Sequence, residues 1–592
     1  MSNESNALKR VYAESSEFII LGLTGRTGSG CSTAAQILSE KNIHIPKVSK
    51  IYNTANDKRK YDIVRNYVKE NWRPFISIQM RVVITGILLE LDFREFSALT
   101  SSVIGIKAEE VERKLSAYKK NYKKAHKLIT SYKGMSEKNK KKNAWSIYFE
   151  FLPGFCAELK TTLQDYLGVD SYTALYQKVG DNIRASGVAN DEAFNAEKIF
   201  TLPKIVNKLI KVIRWRNNNR AFVTIDAIRN PFEAYYFHQR YSGFYLLSVN
   251  TPNEERLKHL RESHKFSEQQ IFALDSKEYP ERLSGKDVFI SQNIQRCIEL
   301  SDIHLNNPDR QKFNNNELSS QLFWYVSLIL HPGLVTPTTI ERGMQLAFSA
   351  KLNSGCVSRQ VGAIVTDPNY SVKAIGWNST PEGQTPCILR SASELLDGGE
   401  EEVYSRYERT NEKFQNVMSC TFSEVIGSKH LKGRNISYCF KDIQNKVDGE
   451  KNQVHTRSLH AEENAFLQIA KYGGEAIQDG FLFTTASPCE LCSKKAYQLG
   501  IKKVIYIDPY PGISKEHILS SGSNYPDLVL FRGAIGRAYH RLYQPLLAYK
   551  DELQMLLGYK VESGKLARKH EIRIQKLEEE VKKIREKSRK CV

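Results

Sequence analysis

Residues 455–507 read HTRSLHAEENAFLQIAKYGGEAIQDGFLFTTASPCELCSKKAYQLGIKKVIYI, and two short pieces inside them decide how the second half of the chain folds. His460-Ala461-Glu462 gives H-x-E, and Pro488-Cys489-Glu490-Leu491-Cys492 gives P-C-x-x-C. Between them, Gly480 to Thr485 (GFLFTT) is a short apolar run with aromatic and Thr residues, the composition of a buried strand. Pro488 suits the first turn of a helix, where its missing N–H costs nothing. Cys489 and Cys492, three apart, then share one face of that turn. The positive end of the helix dipole favours their thiolates. Leu499-Gly500 marks a helix end, and Lys503 to Ile507 (KVIYI) returns as a strand. His460 opens a second helix that closes at Gly473-Gly474. One imidazole and two thiolates make three zinc ligands, and the fourth tetrahedral position stays open, as in a catalytic site. Glu462 is the spare carboxylate beside them, suited to moving protons. A lone C-x-x-C is often structural zinc or two core thiols, and a lone H-x-E says little. The conjunction, in this order, carries the reading.

Moving back along the chain, Ile340 to Asn353 has the period of an amphipathic helix. SGCVSRQVGAIV (354–365) and VKAIGW (372–377) read as two hairpin strands about a DPNYS turn, followed by NSTPEG (378–383). Farther upstream, Phe18 to Leu23 reads as a buried strand and is followed by GRTGSGCST (25–33). Strand, glycine-rich loop and helix in that order are the setting of a phosphate-binding P-loop, G-x-x-x-x-G-K-[ST]. Gly25, Gly28 and Gly30 fit it and Ser32 stands where Mg²⁺ is met, but the lysine is Cys31. The backbone nest can still hold phosphate. The point charge for phosphoryl transfer is missing, so nucleotide binding is expected here and kinase activity is not. The bland alternative is a glycine-rich turn without a ligand. Asp226 ends AFVTID (221–226) as a Walker B acid would, and RNPFE (229–233) follows. Strands alternating with helical segments predict a parallel sheet.

At 592 residues, with 41% hydrophobic residues, several sizeable cores are affordable. No apolar run approaches about 18 residues, so no membrane helix is expected. The first residues lack the apolar core of a signal peptide. Ten scattered cysteines suit a reducing compartment, and a cytoplasmic location is expected. A net charge of +20 suits polyanions such as nucleotides or nucleic acid. Residues 105–150 are expected to form a helical insertion in which basic residues interleave with Tyr118, Tyr122 and Tyr132. They form either a single-strand-binding surface or a solvated helix with a polar loop. Residues 306–319 read as a linker. In residues 561–592, a charged helix, Leu577, Val581 and Ile584 form a seam too short for a coiled coil alone; it is expected to pack on another subunit or on the domain surface.

H-x-E with P-C-x-x-C is the known pattern of zinc-dependent nucleobase deaminases. The order SGCVSRQVGAIV, GWNSTPEG, HAE, SPCELC and QLGIKKVIY resembles the deoxycytidylate (dCMP) deaminase family. An altered P-loop ahead of it resembles the bacterial antiviral cytidine deaminases, which deplete deoxycytidine nucleotides during phage replication. GRTGSGCST with TIDAIRNPFE resembles the nucleoside-monophosphate-kinase-like P-loop proteins. The expected fold class is thus α/β: an N-terminal P-loop parallel-sheet domain (1–315) and a C-terminal α/β/α cytidine-deaminase sandwich (316–560) built on a five-stranded mixed sheet. The resemblance implies that His460, Cys489 and Cys492 hold Zn²⁺. It implies that Glu462 carries protons while water adds at cytosine C4, giving uracil and ammonia. It implies that Asn378 and the backbone at Ala461 contact the substrate, with Arg359 a candidate phosphate contact. It implies dCTP and/or dCMP as substrate, a nucleotide with or without Mg²⁺ at the P-loop, a homo-oligomer, and an inhibitory RNA antitoxin. Some relatives carry a second zinc, for which Cys356, Cys387 and His455 are candidates. The fourth ligand stays open among Cys420, His430 and Cys439, as does the reading of all of these as buried thiols. The stretch 388–455 exceeds what a minimal deaminase needs and is expected to cover or regulate the pocket. The alternative function is a nucleic-acid-editing deaminase.

Overall fold

The computed structural model describes residues 3–589 except 48, 50, 53, 281–282, 309–315, 474–475, 509–513 and 560–563. Gly474 and the middle of the expected 306–319 linker lie outside the described residues. In chain order the strands are β1 (Phe18–Thr24), β2 (Ile76–Gln79), β3 (Ala221–Asp226), β4 (Phe244–Asn250), β5 (Ile303–Asn306), β6 (Gly362–Thr366), β7 (Val372–Trp377), β8 (Phe481–Ala486), β9 (Lys503–Asp508), β10 (Asp527–Leu530) and β11 (Gly533–Ala534). They form two sheets, ordered β11-β5-β4-β1-β3-β2 and β10-β9-β8-β6-β7.

In the first sheet β1 lies between β3 and β4, and β2 to β5 all run parallel to it. A strand buried on both faces needs apolar side chains on both, which is why FIILGL is a continuous apolar run. The loop after β1 leads into the Cys31–Ser39 helix through Gly30, whose φ of 112° is left-handed and favours glycine.

Two expectations change here. The aromatic residues of the 105–150 insertion face inward. Tyr122 is fully buried and stacks on Phe96 with ring centroids 4.6 Å apart, and Tyr118 is buried as well. They lie on the apolar face shared with Val111, Ala125 and Ile129, while Tyr132 is half-buried and Leu128 is exposed with the lysines. The boundary at residue 316 also moves. The Asn316–Leu330 helix packs Leu318, Leu322 and Trp324 into the core that holds Leu21 and Leu247 of the first sheet. β11 pairs antiparallel with β5, and Ala538 and Leu542 of the following helix enter the same core. Segments far along the chain thus complete the first body.

The second sheet is mixed and five-stranded, as expected. β6 is antiparallel to β7 and β8, while β8, β9 and β10 run parallel. Alternation along a strand sends successive side chains to opposite faces. Phe481 and Phe483 pack on Met344 and Ala347 of the Thr339–Ala350 helix. Leu482 packs on the other face with Ala461, Ala465 and Phe466 of the Ala461–Tyr472 helix. The long 388–455 stretch builds a small core of its own from Leu395, Tyr404, Phe414, Met418 and Tyr438, around a buried Arg390–Glu408 ion pair. In the Gly564–Arg589 helix, Ile574, Leu577 and Val581 are exposed. No helix among the described residues is long and apolar enough to cross a membrane.

Candidate active site

The site sits where two helix N-termini meet at the ends of β6, β7 and β8. His460 is the residue before the Ala461–Tyr472 helix and Cys489 the residue before the Glu490–Gln498 helix. The second helix therefore starts one step later than expected. Pro488 precedes the cap, Cys489 is extended, and Cys492 lies in the first turn, with Ser493 N–H donating to the Cys489 carbonyl at 2.8 Å. The first helix comes close because β7 carries Gly376, where a Cβ would lie 2.2 Å from the Ala461 carbonyl oxygen. Asn464 Nδ2 donates to the Trp377 carbonyl at 2.9 Å, and Leu459 N–H to the Ser379 carbonyl at 2.8 Å. GWNST and HAE are thereby held side by side.

His460 Nδ1 lies 3.2 Å from Cys489 Sγ and 3.5 Å from Cys492 Sγ. The three donor atoms lie within 4.8 Å of one another. A tetrahedron with ligands about 2.0–2.3 Å from its centre has edges of roughly 3.5 Å, so the donors fit zinc as they stand. Their mutual contact pushes the Cys489 thiol down to about 3 and the Cys492 thiol far up. That coupled state is one a divalent metal replaces, binding both as thiolates. Beside them Glu462 is buried, and burial pushes its carboxyl above the ordinary range. Thr484 of β8 places its hydroxyl 2.7 Å from Glu462 Oε1 and 2.7 Å from the Ala486 carbonyl. The sequence reading missed Thr484. Its signal was its place in GFLFTTA, on the strand face turned toward the HAE helix.

Other expected site residues are placed differently. Ala461 is buried at the first turn of its helix. Asn378 receives Val361 N–H on Oδ1 and donates from Nδ2 to the Arg359 carbonyl, both at 2.7 Å, so its amide clamps the strand entrance. Arg359 does not stand free for phosphate. Its Nη2 lies 2.5 Å from Asp508 and 3.0 Å from Glu299, a carboxylate of the first body. The expected second zinc set is not assembled. Among the described residues the His460, Cys489 and Cys492 group is the one metal-ligating cluster, and His455 pairs with Asp448 at 3.1 Å. Cys356 and Cys387 remain free thiols, Cys387 buried.

In the glycine-rich loop after β1, Ser32 Oγ donates to Asp226 Oδ2 at 2.9 Å, so the two residues singled out there do meet. Gly25 admits the close approach of the Val249 carbonyl, 2.4 Å from where a Cβ would be, and Gly28 has a left-handed φ of 89°. Cys31 stands at the lysine position, and burial pushes its thiol up to about 12, so it brings no charge.

Residues 337–508 match the cytidine and deoxycytidylate deaminase zinc-binding region. The chain thus carries a deoxycytidylate-deaminase-family domain, and the metal of that region is zinc. The deoxycytidylate deaminase of Enterobacteria phage T2 is 27% identical over 169 residues, covering 28% of this chain and 78% of the phage protein. That of Schizosaccharomyces pombe is 29% identical over 202 residues, covering 33% of this chain and 46% of the yeast protein. Among solved structures, the dCMP deaminase of cyanophage S-TIM5 in complex with dCMP and dUMP is 26% identical with a TM-score of 0.21, covering 33% of this chain and 99% of that one.

Proposed function

We propose that this protein hydrolytically deaminates deoxycytidine nucleotides, dCMP and/or dCTP, and that its first body is a P-loop regulatory domain. The observation that carries the reading is the His460, Cys489 and Cys492 donor set with buried Glu462 beside it, inside the matched segment. Zinc held there supplies an acidified water to a cytosine ring. Glu462 holds and moves the proton between that water, ring N3 and the leaving amine. Thr484 supports it in both states. It donates to the ionised carboxylate, and it accepts from the protonated one while turning its own proton to the Ala486 carbonyl. Glu462 is itself 4% exposed, which keeps bulk water from the carboxyl.

Incubating the pure protein with dCMP, dCTP and single-stranded oligonucleotides, read by the mass shift from cytosine to uracil, tests this. Conversion of an oligonucleotide and of neither nucleotide overturns it. A nucleic-acid-editing reading draws on the +20 charge, but burial of Tyr118 and Tyr122 takes two of the three tyrosines it would stack on out of reach. The pool-depleting, anti-phage role is proposed on the same resemblance, together with an inhibitory RNA suited to the basic surface and a homo-oligomer covering the exposed apolar line of the Gly564–Arg589 helix. Loss of phage protection on Glu462→Ala in cells checks the first of these.

A further inference from the structure

The phosphate cradle of the first body already holds an anion, and that anion is part of the chain. Glu278 closes the Glu268–Glu278 helix, and its side chain is fully buried. Its carboxylate receives the Thr27 N–H at 3.0 Å on Oε2 and 3.2 Å on Oε1, and the Thr27 hydroxyl as well. Arg229 Nη1 lies 2.5 Å from the same carboxylate, and Arg229 Nη2 donates to Thr27 Oγ1 at 3.1 Å. One turn earlier on the helix, Asp275 takes Arg26 at 2.6 Å and Arg256 at 2.7 Å. Arg256 is 1% exposed, it also donates to the Thr27 carbonyl at 3.3 Å, and its Nε has no acceptor among the described residues. Arg229 and Arg256 thus meet Thr27 of the glycine loop, whose own N–H and hydroxyl point to Glu278, and Arg26 beside it reaches Asp275. Such donors suit the oxygens of a phosphate chain. Two acidic side chains of one helix stand in their place.

We propose that Glu278 and Asp275 are internal stand-ins for the phosphates of a nucleoside di- or triphosphate, which binds this cradle by displacing them. The inference rests on the reading of the loop as a nucleotide site. The helix that carries the stand-ins is released when the ligand arrives, and the release reaches the deaminase through short steps. The Arg229 carbonyl accepts Asn293 N–H at 3.0 Å, and Asn230 Nδ2 donates to the Phe289 and Ser291 carbonyls at 2.9 Å. The next helix, Ile294–Glu299, sends Gln295 to Asp508 at 2.9 Å and Glu299 to Arg359. Asp508 in turn accepts Ser487 N–H on its carbonyl at 2.8 Å, directly before Pro488 and Cys489.

Calorimetric titration of the full chain with inorganic triphosphate, ATP and dCTP in Mg²⁺ tests the displacement. Glu278→Gln keeps an acceptor for Thr27 and removes the competing charge. It is expected to bind triphosphate about tenfold tighter than wild type, one charge-assisted contact being worth roughly that factor. Gly30→Val is expected to abolish binding. Equal affinity of wild type and Glu278→Gln overturns the displacement and leaves the nucleotide-site reading standing. Binding by neither protein, or binding unaffected by Gly30→Val, overturns the reading itself. Hydrogen exchange on the wild type gives a second measure that needs no variant. Added ATP is expected to speed exchange across 268–278, and unchanged or slower exchange there overturns the proposal. Comparing triphosphate with ATP and dCTP shows whether the nucleoside adds to recognition. If saturating ligand leaves deamination unchanged, the link through Asp508 is wrong.

Discussion

Thr484→Val is the sharpest probe of the site, because valine keeps the shape of threonine and removes only the hydroxyl. That hydroxyl is wholly buried, 2.7 Å from Glu462 Oε1 and 2.7 Å from the Ala486 carbonyl. One proton serves two acceptors, so the bond made depends on the charge of Glu462. Losing a bond to a buried charged group costs about 1.5–3 kcal/mol, and losing a neutral one about 0.5–1.5 kcal/mol. The two protonation states of Glu462 are thus destabilised unequally, and proton delivery loses the difference plus its alignment, about 1.5–3 kcal/mol in all. At about 1.4 kcal/mol per factor of ten, kcat/KM should fall about 10- to 100-fold on dCMP and dCTP alike. Zinc content per chain should be unchanged, since none of the three donors is touched. Thr484→Ser should recover activity to within a few-fold. Wild-type kcat/KM in Thr484→Val, or a Ser variant as impaired as Val, would refute the two-way role.

Metal analysis should find one zinc per chain, because Cys356, Cys387 and His455 form no ligand cluster; two zincs that survive a Cys489→Ser change would contradict this. Chelation should abolish deamination, and added zinc restore it. Gly376→Ala pushes a methyl against the Ala461 carbonyl, and such overpacking costs about 1–3 kcal/mol; a loosened HAE helix should show as weaker zinc retention in a chelator competition. Arg359→Ala strips a partner from buried Asp508, whose carboxyl burial already pushes up to about 7, and should lower the urea midpoint; a raised KM with no loss of stability would instead return Arg359 to phosphate binding. Burial lowers His304 from 6.5 to about 3 while Ser248 Oγ lies 2.8 Å from its Nδ1. The unfolded chain then protonates first as pH falls below 6.5, so wild type should lose about 1.4 kcal/mol per pH unit that His304→Gln does not lose, read from urea midpoints at two pH values.

The clustering of His460, Cys489 and Cys492 was legible because metal-ligand chemistry ties residue type to spacing. His460, Cys489 and Cys492 meet in space as their motifs meet in sequence. Glu462 is buried beside them, the place that its position in H-x-E implied. The sheets were legible where burial on both faces leaves continuous apolar runs, as in β1 and β8. What was not legible depends on contacts across long separations. Asn378 and Arg359 are polar residues in the right motifs, but their partners, the 359–361 backbone in one case and Asp508 and Glu299 in the other, appear only once the chain is folded. The domain edge failed likewise. The Asn316–Leu330 helix is almost uniformly buried, which marks it as core without saying whose. The tyrosines of the basic insertion looked available because lysines surround them in sequence, while helical period turns them inward.

The replacement of the P-loop lysine takes on a meaning that the loop alone did not show. A lysine there would add a fixed positive charge to a loop where three arginines already face two carboxylates, Arg229 with Glu278 and both Arg26 and Arg256 with Asp275. Cys31, kept neutral by burial, adds nothing to that balance. The same economy holds at the other end of the path. Arg359 holds Glu299 of the first body and Asp508 of the second sheet on one guanidinium, 3.0 and 2.5 Å away. With Gln295, which also bonds Asp508, it ties the Ile294–Glu299 helix to the strand end whose main chain holds Ser487, just before Pro488 and Cys489.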